Sequence, residues 1–415
     1  MAGCNPYTRE MRSVISERKL VFLIGAAELI STLDFTMMLP LGPDFARALD
    51  IPASKLGVVG GIYTVAEVVA GIAGAFFLDR FDRRRALVVA FTGLVAGTFA
   101  CAFATGFLSL VAARIVAGVF GGTVDTLAFA IVTDAVAPER RGRAMGAIQS
   151  AFALSSVFGV PAGLELARLA GWRAPFFTLA ALGAVVTVAI ISMLPPQRAH
   201  LSDRLAPFRE VLSRPAAGLA LIALAIGTIA HYTLVPNLSA YVQFNRGYPR
   251  EQLGLLYMIG GAFVFGTARP AGWLADRYGE PLVTALGTAL YAAVLIFGFI
   301  YPADTIPVVV IFVGFMVSSS FRFIPMLAQS SRIPAPHERA RFMSTRTVVH
   351  SLAAAIGAML SAELLTEHPD GSLAGIADVA WLAIAMTSVY AALGYVIARR
   401  VRVCVAGIGH HASTE

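Results

Sequence analysis

Five ionisable side chains in the first half of this 415-residue chain, Glu28, Asp34, Glu67, Arg114 and Asp125, are embedded in long apolar stretches. An ionised group near the centre of a bilayer costs about 2.5–3.5 kcal/mol on insertion scales, so each requires a partner or a task. Depth along a helix pairs two of them. Asp34 lies about 14 residues, roughly 21 Å, into a first span; Arg114 lies about 6 residues, roughly 9 Å, into a fourth span running the opposite way. In a hydrocarbon core about 30 Å thick these are the same level. An Asp34–Arg114 pair is geometrically possible, and its chemistry is that of a switch. The carboxylate holds the guanidinium, or a cationic substrate, when ionised and lets go when protonated.

Glu28 and Glu67 form a second set, both roughly 12–14 Å from the inner surface, close to the midplane. Two carboxylates in a poorly hydrated site do not both stay ionised; they share a proton and titrate jointly. Asp125 completes the acidic group. The alternative role for each is a side chain satisfied by backbone or serine contacts between helices. The second half differs in sign, with Arg269, Arg322, Arg346, His231 and His350. The three arginines lie near the inner ends of their spans, where long side chains snorkel to the interface. His231 is deeper and serves either as a hydrogen-bonding link between helices or as a proton carrier. No catalytic triad, nucleotide-binding loop or metal-ligand cluster occurs, so neither an enzyme nor an ATP-driven pump is expected, and no metal or cofactor. Cys4, Cys101 and Cys404 have no partners at ligand spacing.

The elements that hold these residues follow from composition. The chain is 57% hydrophobic and 14% charged, against about 45–50% and about 25% in soluble domains. That excess excludes a soluble globule, a disordered chain and a disulfide scaffold, and indicates an all-α polytopic membrane protein. Twelve apolar segments long enough to cross a bilayer fall near 20–42, 56–78, 86–104, 108–133, 143–166, 173–194, 216–241, 253–275, 281–301, 305–328, 342–365 and 378–398. With both termini inside, 22 Lys and Arg lie on the inner side and 6 on the outer, the asymmetry that sets orientation in the plasma (inner) membrane. The net charge of +7 belongs to that pattern rather than to nucleic-acid binding.

The longest inner connection, 195–215, divides the spans six and six, giving bundles at 1–194 and 216–415. The halves also repeat. FLDRFDRRRAL around Asp79 matches WLADRYGEPLV around Asp276, 197 residues on, and APERRGRAMG matches APHERARFMS, 198 residues on. Two matches at nearly one offset indicate a duplicated six-helix unit.

These loops resemble the signature of the major facilitator superfamily, G-x-x-x-D-[RK]-x-G-[RK]-[RK], between helices 2 and 3 of each half. The second copy runs from Gly272 through Asp276, Arg277 and Gly279 to Pro281. The first runs from Ala75 through Asp79, Arg80 and Asp82 to Arg83 and Arg84, with both glycines replaced and the charges kept. A narrower resemblance is to twelve-span drug:proton antiporters: Thr32 and Leu33-Asp34-Phe35 in the first helix, Arg114 before Gly118 in the fourth, and Gly159-Val160-Pro161-Ala162-Gly163 in the fifth, where the family's Gly-Pro pair is Val-Pro. The resemblance implies two pseudo-symmetric six-helix bundles around a central cavity. It implies a monomeric secondary transporter, exporting small amphipathic molecules against protons by alternating access. Asp79 and Asp276 would bias the rocking equilibrium; the other role for these loop charges is to set topology. Uptake of a metabolite by the same fold, and a non-transporting receptor or scaffold, are the alternatives.

Overall fold

The computed structural model describes residues 16–411 except 78–80, 137–139, 141–143, 146, 149–150, 152–153, 197–214, 303–304, 332 and 334–338. The chain divides into two compact units, Met1–Leu205 with Pro249–Met258, and Ala206–Tyr248 with Ile259–Glu415.

The first unit holds α1 (Glu17–Met38), α2 (Leu56–Phe77), α3 (Arg83–Ala102), α4 (Phe107–Ala135), α5 (Val160–Ala170) and α6 (Ala174–Met193). Ser16 caps α1, its hydroxyl accepting from Lys19 N at 3.4 Å. Pro40 lies just beyond α1. Proline lacks the N–H that would continue the helical ladder, and the predicted first span ends at Met38. A short helix, Gly42–Leu49, follows. A π-helical turn, Ser155–Gly159, precedes α5. Pro161 cannot donate to the residue one turn earlier, and the widened turn absorbs that missing bond.

The second unit holds α7 (Pro215–Tyr232), most of α8 (Leu253–Tyr278), α9 (Glu280–Leu295), α10 (Val308–Ser331), α11 (Arg339–Leu364) and α12 (Ile376–His411). The predicted seventh span to 241 is broken at Tyr232; a 3-10 turn at Val235–Asn237, a single α turn and a π turn at Tyr241–Asn245 carry it on. A two-stranded hairpin, β1 (Thr366–Glu367) with β2 (Leu373–Ala374), is pinned by Asn245, whose side chain donates to Leu373 O and accepts from Leu373 N, both at 2.9 Å. Ala217, Leu221, Met326, Phe342, Tyr390 and Ile397 form a core cluster across α7, α10, α11 and α12.

Ten helices among the described residues are long and apolar enough to cross a membrane. The fifth and eighth of the twelve helices are not among the ten. The described α part of the fifth has 11 residues, and the eighth carries Arg269, Pro270, Asp276 and Arg277. Phe22, Leu108, Val185 and Phe265 are exposed. Water disfavours so many large apolar side chains on a surface, whereas lipid tails do not.

Candidate functional site

Asp34 and Arg114 are the deepest charges of the first unit, each with 0% side-chain exposure, and Arg114 Nη1 lies 2.8 Å from Asp34 Oδ2. The same nitrogen reaches the Asp34 carbonyl at 3.4 Å. The other carboxylate oxygen accepts from Thr98 Oγ1 on α3 at 2.7 Å. Tyr63 on α2 covers the guanidinium, its ring centre 4.1 Å from Cζ, and Phe35 stacks on Tyr63 at 5.6 Å. Four helices thus close around one ion pair. Its remaining guanidinium nitrogens, Nε and Nη2, meet no acceptor among the described residues. A buried pair of this kind recovers its desolvation cost only through such close geometry, and removing one partner strands the other.

Below this pair the other three carboxyl groups gather. Ser31 Oγ donates to Asp125 Oδ1 at 3.0 Å. Glu28 is buried, its Oε2 has no hydrogen-bond partner among the described residues, and it lies within the fields of Asp125 and Glu67. Glu67 sits one turn beyond Tyr63 on α2. Its position depends on a close helix crossing: a Cβ on Gly122 of α4 would lie 2.4 Å from Glu67 O, and one on Gly118 2.4 Å from Tyr63 O. Glycine at these two places lets the acidic face of α2 touch α4.

The fifth-helix glycines act on the same centre. A Cβ on Gly159 would overlap Leu33, and one on Gly163 would overlap Met37. Gly159 and Gly163 therefore let this stretch of helix lie on α1 to either side of Asp34, with Pro161 between them in sequence.

Of the loop residues, Asp79 and Arg80 lie outside the described residues, as does most of the 195–215 connection. Arg84 Nη2 donates to Ile191 O at the end of α6, and Arg83 is buried in the first turn of α3. In the second copy Asp276 lies in the last turn of α8, and Arg277 packs over the rings of Trp273 and Tyr278 at 5.3 and 5.6 Å. Gly279 has φ +91°, a conformation that side chains resist. At the equivalent place in the first copy, Asp82 has φ −58° and caps α3, accepting from Arg85 N at 3.0 Å. The replaced glycine is thus a different solution to the same turn.

One expectation is corrected. Arg322 does not snorkel: it has 0% exposure. It is the fifteenth residue of the 24-residue α10, and its side chain turns into the second unit rather than along the helix towards the surface.

Several residues of the site carry no charge and escaped sequence reasoning. Thr98 and Cys101 are three apart on α3, hence on one face, and both reach the Asp34–Arg114 pair. Tyr63 and Glu67 are four apart on α2. That spacing was a readable signal. Arg250 was counted only as a loop charge, yet it makes a bidentate pair with Asp44, Nε lying 2.7 and 3.0 Å from the two carboxylate oxygens, and it donates to Leu164 O at 3.3 Å.

Comparison with known proteins decides the family. Residues 24–358 match the model of the Major Facilitator Superfamily. The chain belongs to this superfamily. Inner membrane transport protein YdhP of Escherichia coli (strain K12) is 28% identical over 259 residues, 62% of this chain and 66% of the relative, just under two thirds of its length. A bacterial homologue of the human lysosomal transporter Spinster aligns with a TM-score of 0.74 at 17% identity, covering 96% of this chain and 98% of the other. A peptide transporter, POT, in complex with sulfate aligns at 0.73 and 13% identity over 96% and 99%. The human organic anion transporter MFSD10 aligns at 0.61 and 20% identity over 92% and 99%. These likenesses share the fold. The facilitator chain described here therefore has an all-α, multi-pass membrane fold.

Proposed function

We propose that this transporter couples the export of small amphipathic molecules to protons. The observation that carries the reading is the Asp34–Arg114 pair, sealed from solvent at 0% exposure on both sides. Such a pair has two states of different charge. Ionised Asp34 holds Arg114 and accepts from Thr98. Protonated Asp34 can no longer pair with the guanidinium, which then needs another acceptor. Because Asp34 is enclosed by protein, a cationic substrate does not touch it in this state, so coupling runs through the release of Arg114 rather than through direct competition at the carboxylate. Glu28, Glu67 and Asp125 stand beside the pair and can pass or store a proton.

The loop aspartates Asp79 and Asp276 would bias the exchange between inward- and outward-open states. The protein would work as a monomer with both termini in the cytoplasm, organised as bundles at 1–194 and 216–415 joined by 195–215. Reporter fusions after Gly106 and after Asp370 should then read outside, and fusions within 199–212 inside; an external signal from the latter breaks this topology.

The decisive experiment is transport by purified protein in proteoliposomes with an imposed pH gradient, run against a panel of amphipathic compounds. Gradient-driven flux is expected in the parent and absent in Asp34→Asn, which fixes the neutral form. Substrate-induced proton release from protein in detergent should vanish in the same variant. Unchanged release from Asp34→Asn removes Asp34 from the mechanism.

A further inference from the structure

The second unit buries a cation for which the described residues supply no anion. Arg322 on α10 has no exposed surface. Its Cζ lies 3.7 Å from the ring centre of Tyr291 and 5.3 Å from that of Phe323. Nη1 donates to Thr387 Oγ1 at 3.1 Å. Nη2 has a 3.5 Å approach to His231 Nδ1, and Nε has no hydrogen-bond partner among the described residues. The ion pairs among the described residues engage other arginines.

The surroundings supply imidazole rings and one more guanidinium, and no carboxylate among the described residues. His231 lies in the fields of Arg322 and His350, and His350 in that of Arg346. Ser319, one turn before Arg322, brings a hydroxyl to 3.5 Å from the same His231 nitrogen. His231, Ser319, Arg346 and His350 are all part-exposed, so the cluster has an open side.

Nε and Nη2 form one edge of a guanidinium, the fork that receives a carboxylate or phosphate side-on through two parallel bonds. In Arg322 this edge holds only the 3.5 Å approach of Nη2 to His231, and Nε is unpartnered among the described residues. The Tyr291 face and Thr387 hold the plane of the group fixed, and the phenyl and tyrosyl walls offer apolar contact to whatever carries the anion. A buried charge left on neutral partners costs several kcal/mol, and an arriving anion removes that cost.

We propose that Arg322, with Ser319 and His231 at its open side, is the binding site for the acidic group of a small amphipathic anion, a carboxylate or a phosphate monoester, and that the cargo of this transporter carries such a group. The naming of the anion as cargo rests on the transport reading; the binding does not.

Arg322 lies nine residues, about 14 Å, from the nearer end of α10, and its side chain is sealed within the second unit; the test separates a lipid headgroup from a free anion. The probes are naphthalene-1-acetate and its neutral isostere naphthalene-1-acetamide, titrated into the full purified chain in dodecylmaltoside with intrinsic fluorescence as the readout. The acid should bind at least tenfold more tightly than the amide. Arg322→Gln should bring the two within twofold, and Arg322→Lys should keep part of the preference. Ser319→Asp places an internal carboxylate within reach at i,i+3 spacing; it should abolish the acid preference and raise the melting temperature, and it decides the matter should Arg322→Gln fail to fold. Equal binding of acid and amide by the parent overturns the proposal, as does an undiminished preference in Arg322→Gln or Ser319→Asp. Loss of the preference in phosphatidylglycerol nanodiscs gives the site to a lipid and overturns the cargo assignment. Acid preference without pH-driven flux breaks the export reading alone; flux without acid preference breaks the anion site alone.

Discussion

Arg114 in the first unit and Arg322 in the second are both sealed guanidinium groups, and both lie over a tyrosine ring, Tyr63 at 4.1 Å and Tyr291 at 3.7 Å. They part at the hydrogen-bonding edge. Arg114 meets the Asp34 carboxylate at 2.8 Å, with three more carboxyl groups close by. Arg322 meets a threonine hydroxyl and a histidine. The duplication kept six helices per half and let the buried charges diverge. On the proposed reading, one half would be where a proton changes partners, and the other where a fixed positive charge meets the cargo's anion. Roles placed in separate halves would let proton and cargo act on one conformational equilibrium without occupying one site.

The sharpest way to break this contrast is to remove each cation in turn. Arg114→Met leaves Asp34 buried without its partner and should cost about 3–5 kcal/mol of stability. Arg322→Met replaces a charge held only by neutral groups with an apolar side chain of similar length, and should be neutral or stabilising. Thermal unfolding in detergent compares them. Equal losses would mean that Arg322 is as tightly paired as Arg114, and the difference between the halves would disappear.

A smaller effect is expected at the Asp44–Arg250 contact of the first unit. Asp44 and Arg250 are 15–16% exposed and bidentate, although Arg250 comes from the second half of the sequence. Hydrogen bonds to charged groups contribute about 1.5–3 kcal/mol, so Arg250→Ala should lower stability by about that amount. It should also increase labelling of a cysteine introduced at Leu164, whose carbonyl Arg250 covers. Unaltered labelling would reduce this pair to a surface contact.

Smaller again are the effects within the acidic cluster. Glu28→Gln removes no hydrogen bond at Oε2 and relieves repulsion from Asp125 and Glu67. Substrate-induced proton release should fall by less than in Asp34→Asn. The Glu28→Gln and Glu67→Gln effects should not add, because groups that share a proton titrate as a set. Strict additivity would show that each acts alone.

Much of this could be read without coordinates, for definite reasons. Apolar run length locates membrane helices, and depth arithmetic put Asp34 and Arg114 at one level. Depth says nothing about lateral neighbours, so Thr98, Tyr63 and Cys101 went unnoticed although their helical spacings place them on useful faces. For Arg322, nearness to a helix end does not decide the direction of the side chain. Rotation about the helix axis decides it instead, turning the side chain inward onto Tyr291 and Thr387. Arg250 looked like any loop cation, and only the spatial placement of 249–258 with the first unit reveals Asp44 as its partner.

The smallest expected difference lies in the two loop copies, where the halves solve one turn in two ways. Gly279 enters α9 with φ +91° and ψ 143°, a region that costs a side chain about 1–3 kcal/mol. Asp82 enters α3 with ordinary dihedrals and contributes a cap. Exchanging the residues should therefore be asymmetric. Gly279→Asp should cost about 1–3 kcal/mol through backbone strain. Asp82→Gly should cost only a few tenths, because glycine is itself tolerated at a cap, while Asp82→Ala should cost about 1 kcal/mol. Thermal unfolding of the three variants measures this directly. If Asp82→Gly were the most damaging of them, the Asp82 carboxylate would be holding more than the first turn of α3, and the first loop would be the more constrained copy despite having lost both glycines of the motif.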